Sequence, residues 1–205
     1  MDPSQAIHAY EKLPLFVAGL VLALWLIGLH GVMLVKAEAM QGFLKKLPRN
    51  HALGQGLIAA GLIWFWLIVA PTGRGFAHAL AMDLGEQFNA LKPILRLAVP
   101  VAIVLLAISI KEFLAVRALG LLGLMAAAPL LESAFLKDPS SRLLIPVYSY
   151  VMIFVSLYLV GMPYLFRDAV NWVTARPARW RTTCALGLAY GVAVLVCALL
   201  FWRGY

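Results

Sequence analysis

Long apolar runs separated by short polar segments repeat along the whole chain. A transmembrane helix needs about 20 mostly apolar residues to cross the hydrocarbon layer. Runs of this kind predict spans at about 13–35, 52–71, 113–131, 143–166 and 183–202. The pattern therefore predicts an all-α integral membrane protein, with residues 1–205 forming a single polytopic transmembrane domain.

The stretch from Pro93 to Leu131 is too long for one span. As a continuous helix it would measure about 60 Å, which is about twice the hydrocarbon thickness. We therefore predict two spans here, at about 94–110 and 113–131, joined by a tight turn around Lys111–Phe113. That turn contains neither Gly nor Pro, so a single long helix remains the alternative.

Residues 72–92 are too polar to cross a bilayer, but their apolar positions recur every three or four residues. This spacing places them on one face of a helix that lies along the membrane surface. The fold we predict is thus a compact bundle of six transmembrane helices plus one amphipathic interfacial helix at about 72–92. The apolar positions of that helix are Phe76, Leu80, Leu84, Phe88 and Leu91.

Composition agrees with a membrane protein. The 205 residues are 63% hydrophobic and 13% charged, with a mean hydropathy of +0.91. A soluble domain carries roughly 25% charged residues, and disorder requires low hydrophobicity. Both classes are therefore excluded. The net charge of +8 sits in short runs between spans rather than on a water-facing stripe, so we expect no nucleic-acid partner.

The distribution of cations predicts the orientation. Loops that face the cytoplasm carry an excess of Lys and Arg. With six spans, ten of the 17 cations fall on one side, which we assign to the cytoplasm, and both termini fall outside it, in a bacterial inner membrane. These ten are Lys36, Lys45, Lys46, Arg49, Lys111, Arg117, Arg167, Arg176, Arg179 and Arg181.

Charged residues near the predicted span ends are candidate contacts for ions or lipid headgroups. The basic loop with Lys45, Lys46 and Arg49 is typical of an ordinary cytoplasmic loop, and binding of phosphate headgroups is the alternative. The remaining candidates either contact neighbouring helices or headgroups, or lie solvated at helix ends. They are Lys111, Glu112, Arg117, Arg167 and Asp168.

Two histidines are candidate cofactor ligands. His30 and His51 fall on the same half of the hairpin formed by the first two spans, and a bis-histidine haem needs two imidazoles on facing helices. His51 sits at the membrane edge and His30 lies deeper. We therefore expect His30 to be a polar residue at a contact between helices, with haem ligation by His30 and His51 as the alternative, and the sequence names no cofactor.

Motifs for catalysis or metal binding are missing from the sequence. It has no Gly-x-Ser-x-Gly elbow, no phosphate-cradling loop and no zinc spacing. We therefore expect no catalytic or metal-binding residues, and the sequence favours a non-enzyme. No family resemblance follows from these residues.

Small residues predict where helices pack closely in lipid. Residues of this size four positions apart allow two backbones to approach, and two faces have the pattern. One carries Gly187 and Gly191, and the other carries Gly120 and Gly123.

The sequence is compatible with three functions. The first is a non-catalytic subunit or scaffold of a membrane protein complex, whose partners are membrane lipids and either other subunits or a second copy of the chain. The alternative is a small transporter or channel for a small or weakly polar substrate. The third is an intramembrane enzyme or an anchor that binds haem or quinone.

Overall fold

The computed structural model describes residues 10, 12–69, 88, 90–109 and 113–205. This part of the chain is helical and contains no strand. We number its α-helices in chain order: α1 (Leu15–Val35), α2 (Ala37–Lys46), α3 (His51–Val69), α4 (Lys92–Ser109), α5 (Leu114–Ala134), α6 (Leu144–Gly161), α7 (Tyr164–Thr174) and α8 (Pro177–Phe201).

Five of these helices are long and apolar enough to cross a membrane, namely α1, α3, α5, α6 with the short turn before it, and α8. The all-α membrane class is thereby supported. Helix α4 occupies the position of the predicted span 94–110, and its crossing of the bilayer stays a prediction. The predicted interfacial helix at 72–92 lies almost wholly outside the described residues.

Local backbone chemistry explains where the helices begin and end. The Asn50 side chain accepts a hydrogen bond from the Leu53 amide at 3.0 Å and so caps the start of α3. Phe113 adopts a left-handed conformation (φ 55°, ψ 23°) immediately before α5. The stretch that the sequence left open between one helix and two therefore contains two separate helices, α4 and α5.

Two predicted span boundaries differ from the observed helices. Helix α6 ends at Gly161 rather than at about 166, because Met162 leaves the helical conformation and Pro163 has no amide hydrogen to continue the hydrogen-bond ladder. Helix α8 begins at Pro177 rather than at about 183, since proline is favoured in the first helical turn.

Helices that would span the membrane alternate in direction along the chain, so α3 and α5 start at the same end and pack in parallel. Helix α1 lies antiparallel to α8, with Trp202 buried at one end and the Trp180 indole donating to the Met33 carbonyl at the other (3.1 Å). Helix α5 packs between α3 and α6. Helix α4 lies on α3, where the Trp66 indole donates to the Arg96 carbonyl at 3.1 Å.

These contacts define two ends of the bundle. At the first, which we call the basic end, α1 finishes and α3 and α5 start, with α2 and α7 lying beside them. At the second, which we call the opposite end, the Trp202 indole donates to the Ser141 hydroxyl at 2.9 Å. The basic end carries the segments that the sequence assigns to the cytoplasm.

Candidate functional site

Two short amphipathic helices, α2 and α7, lie against each other at the basic end. The sequence analysis treated both segments as loops or span ends. For α2 the signal was nevertheless available, because Phe43, Leu44 and Leu47 lie three, four and seven positions after Met40, on one face of a helix. Helices α2 and α7 have 10 and 11 residues, which is too short to cross a bilayer.

Exposed apolar side chains on these helices fit a membrane surface. Phe43 on α2 and Trp172 on α7 have 44% and 59% of their surface exposed, and Tyr164 at the start of α7 is also exposed. Aromatic rings with a polar edge settle at the headgroup level of a bilayer. The α2–α7 pair therefore has the exposed aromatic side chains that a surface at the headgroup level would need.

The corner between α7 and α8 is fixed by one arginine. The Arg179 guanidinium lies 4.3 Å from the centroid of the Trp172 ring, and it donates to the Trp172 carbonyl at 3.2 Å. A cation over an indole face is attracted by the electron density of the ring. One side chain thus ties the surface helix to the span that follows it, a contact that the sequence gave no means of predicting.

Cations dominate the charge around these helices. The described acidic residues here are Glu38 and Asp168, and Asp168 is paired with its neighbour Arg167 at 3.1 Å. That pair is exposed and adds little stability. We call the surrounding set the basic face: Lys36, Lys45, Lys46, Arg49, Arg167, Arg176, Arg179 and Arg181.

Four of the eight predicted ion or headgroup contacts belong to this face, and Asp168 is paired with one of them, Arg167. Lys45, Lys46 and Arg49 are exposed at the end of α2 and in the turn that follows it. Arg117 lies in the first turn of α5 at the same end, and its buried Nε has no hydrogen-bond partner among the described residues. Lys111 and Glu112 lie outside the part of the chain that the structure describes.

The two histidines occupy different surroundings. The His30 Nδ1 lies 2.8 Å from the Leu26 carbonyl one turn earlier, and its ring contacts Gly187 of α8. His51 is exposed at the first position of α3, which packs against α4 and α5. His30 therefore takes the role of a polar residue at a helix–helix contact. Across the described ranges, no group of three or more His, Cys, Asp or Glu is arranged to hold a metal ion.

Both small-residue faces lie in contacts within the chain. Gly187 and Gly191 face α1, where Gly191 meets Leu26 and Ile27. Gly120 and Gly123 face α6 at Ser156. Because the backbones approach closely at these glycines, the tight packing predicted from the sequence is used inside the bundle.

The fold and the site together define an all-helical protein of the membrane-spanning class, with a cationic amphipathic surface at one end. Comparison with protein-family models, with curated proteins and with solved structures gives no match.

Proposed function

We propose that the protein is a non-catalytic subunit or scaffold of a membrane protein complex in the bacterial inner membrane. Its basic face would lie on the cytoplasmic side and both termini on the other side. Its partners would be membrane lipids and other membrane subunits.

The observation that carries this proposal is the basic face. Its two surface helices contact each other, Arg179 of α8 donates to the Trp172 carbonyl of α7, and Trp180 of α8 donates to the Met33 carbonyl of α1. A fixed array of cations and exposed aromatic rings attracts acidic surfaces and fixes the orientation of a partner.

The spans beneath the face support the same interpretation. The α1–α8 contact is built from apolar residues such as Leu22, Val194 and Ala198. The buried serines 133 and 149 each donate to a carbonyl of their own helix, at 2.8 and 2.9 Å. Side chains that bond within their own helix leave the packing surface apolar, as a structural bundle requires.

Native purification in mild detergent, with site-specific photo-crosslinking, tests this function. A benzophenone side chain replaces Phe43 on the basic face, and a matched control replaces Phe135, which is exposed beyond α5 at the opposite end. We expect a complex heavier than the 22.4 kDa chain, with the same stoichiometric partner purified and crosslinked from position 43.

Other results would overturn the proposal in favour of the alternatives. A colourless homo-oligomer that supports flux in liposomes, lost in Asp168→Ala, would identify a transporter or channel. A Soret absorbance band that disappears in His30→Ala would identify a haem protein.

A further inference from the structure

An open cavity of about 370 Å³ lies between four helices in the half of the bundle nearer the opposite end, with the exposed side chains of Val17, Val21 and Trp25 on its rim. Its walls come from α1 and the residues just before it, from α3, from the second half of α5 and from the first half of α6. The residues that shape it are Val17, Trp25, Trp64, Ala126, Pro129 and Tyr148.

Small side chains on facing helices leave this space open. Ala18 of α1 and Ala126 of α5 line the cavity, while the large rings of Trp25 and Trp64 stand at its sides. Helix α1 packs mainly on α8, and α5 packs mainly on α3 and α6. The cavity therefore lies where the two packed groups of helices meet.

The indole N–H of Trp64, a residue that lines the cavity, already makes a hydrogen bond. The Trp64 indole donates to the Tyr10 hydroxyl at 2.7 Å. Burial raises the pKa of Tyr10 above its ordinary value, with the Trp64 bond acting in the other direction. The Trp64 indole that lines the cavity thus has its N–H paired with Tyr10, which leaves the apolar part of the ring to face the space.

The size of the cavity distinguishes between possible occupants. An apolar cavity of about 150 Å³ takes one benzene molecule, so 370 Å³ takes roughly 15 carbon atoms. The space inside the open cavity thus matches a single hydrocarbon chain.

A positive charge near the opening indicates which headgroup the hydrocarbon chain would carry. Lys12 is exposed and directly precedes Leu13, which lines the cavity at its end nearest the membrane surface. A lysine at this level attracts a negative headgroup. We propose that the cavity binds one acyl chain of an anionic phospholipid from the leaflet at the opposite end.

Native mass spectrometry of the purified full-length chain tests this site. In Ala126→Phe a ring fills the cavity, whereas in the control Ala189→Phe the same ring is added on an exposed position of α8. We expect the wild type and the control to retain one phospholipid per chain, and Ala126→Phe to lose about tenfold in retained lipid. Lys12→Gln should lower the ratio of retained phosphatidylglycerol to phosphatidylethanolamine.

A second variant guards against misfolding. Val17→Trp narrows the cavity from its exposed rim without changing the core. After lipid is removed, added dioleoyl-phosphatidylglycerol should raise the Tm of the wild type, because a ligand that binds only the folded state stabilises it. The Tm of Val17→Trp should not change.

Three outcomes would overturn the proposal: no lipid on the wild type, equal retention in Ala126→Phe, or a quinone in place of the phospholipid. Because the test uses the isolated chain, its failure leaves the proposed role in a complex unaffected.

Discussion

His30 and Gly187 show at the scale of single residues how α1 and α8 are joined. A Cβ atom added to Gly187 would collide with three atoms of the His30 ring. The ring is held in turn by its contact with the Leu26 carbonyl at 2.8 Å. The missing side chain of one residue thus makes room for the polar side chain of the other.

Gly187→Ala should therefore destabilise the protein. The added methyl group displaces the His30 ring, and overpacking of this kind costs about 1–3 kcal/mol. Gly28→Ala is the matched control, because nothing lies within 4 Å of that position in α1. Gly28→Ala should be neutral or stabilise by about 0.5–1 kcal/mol, since alanine favours a helix. Unfolding in mixed detergent micelles measures both.

A double variant separates a specific clash from general damage. With His30→Ala also present, the cost of Gly187→Ala should fall by about 0.5–3 kcal/mol, because the colliding ring is gone. If the two changes are additive, the contact between them is not the cause.

The boundary between α4 and α5 belongs to the scale of helices. Phe113 has a positive φ. Residues with a Cβ adopt this conformation at a cost of about 1–2 kcal/mol, whereas glycine does not pay it. In a continuous helix the same position would have the ordinary right-handed conformation. Whether glycine or alanine is more stable at position 113 therefore distinguishes two helices from one continuous helix.

Phe113→Gly should be more stable than Phe113→Ala by about 1–2 kcal/mol. Both changes remove the same ring, so the comparison isolates the backbone. Leu136, at φ 52° and exposed, provides a second site at which glycine should be favoured. In a helix interior glycine is instead worse than alanine by about 1 kcal/mol. That opposite sign at residue 113, in the same micelle unfolding measurement, would indicate one continuous helix.

The link between α7 and α8 gives a third prediction. Trp172→Ala removes the ring under Arg179, an interaction worth about 0.5–1 kcal/mol at an exposed site. Amide hydrogen exchange in α7 should become about two to five times faster, because local opening becomes easier by that amount. Trp172→Phe keeps an aromatic ring, so its exchange rate in α7 should lie between those of the wild type and Trp172→Ala. Unchanged exchange in Trp172→Ala would show that the corner is held by other contacts.

Helix patterns explain why part of the fold was predictable. Spans at 13–35, 52–71 and 113–131 have long apolar runs, and their helices begin and end within about three residues of the prediction. The short helix α2 was not predicted, because its sequence, which ends in Lys45 and Lys46, also fits a basic loop. The Arg179–Trp172 contact was out of reach, since it depends on the angle between two helices rather than on spacing within one.

The distribution of charge belongs to the scale of the whole molecule. The basic face gathers at one end, and the described acidic residues there are Glu38 and Asp168. Loops rich in Lys and Arg are generally retained in the cytoplasm, which is the basis for the proposed orientation. The contacts between α2 and α7 keep both basic segments on the same side of the bundle.

Cysteine labelling of intact cells tests the resulting orientation. The natural cysteines, Cys184 and Cys197, are free thiols and are first replaced by alanine. In that background Lys137→Cys, at the opposite end, should react with a maleimide that cannot cross the membrane. Lys45→Cys, on the basic face, should react only after the cells are made permeable. The reverse pattern would contradict the assignment of the basic face to the cytoplasm. Helices that alternate in direction require the two ends to lie on opposite sides of the bilayer. Reaction of both cysteines in intact cells would contradict that arrangement.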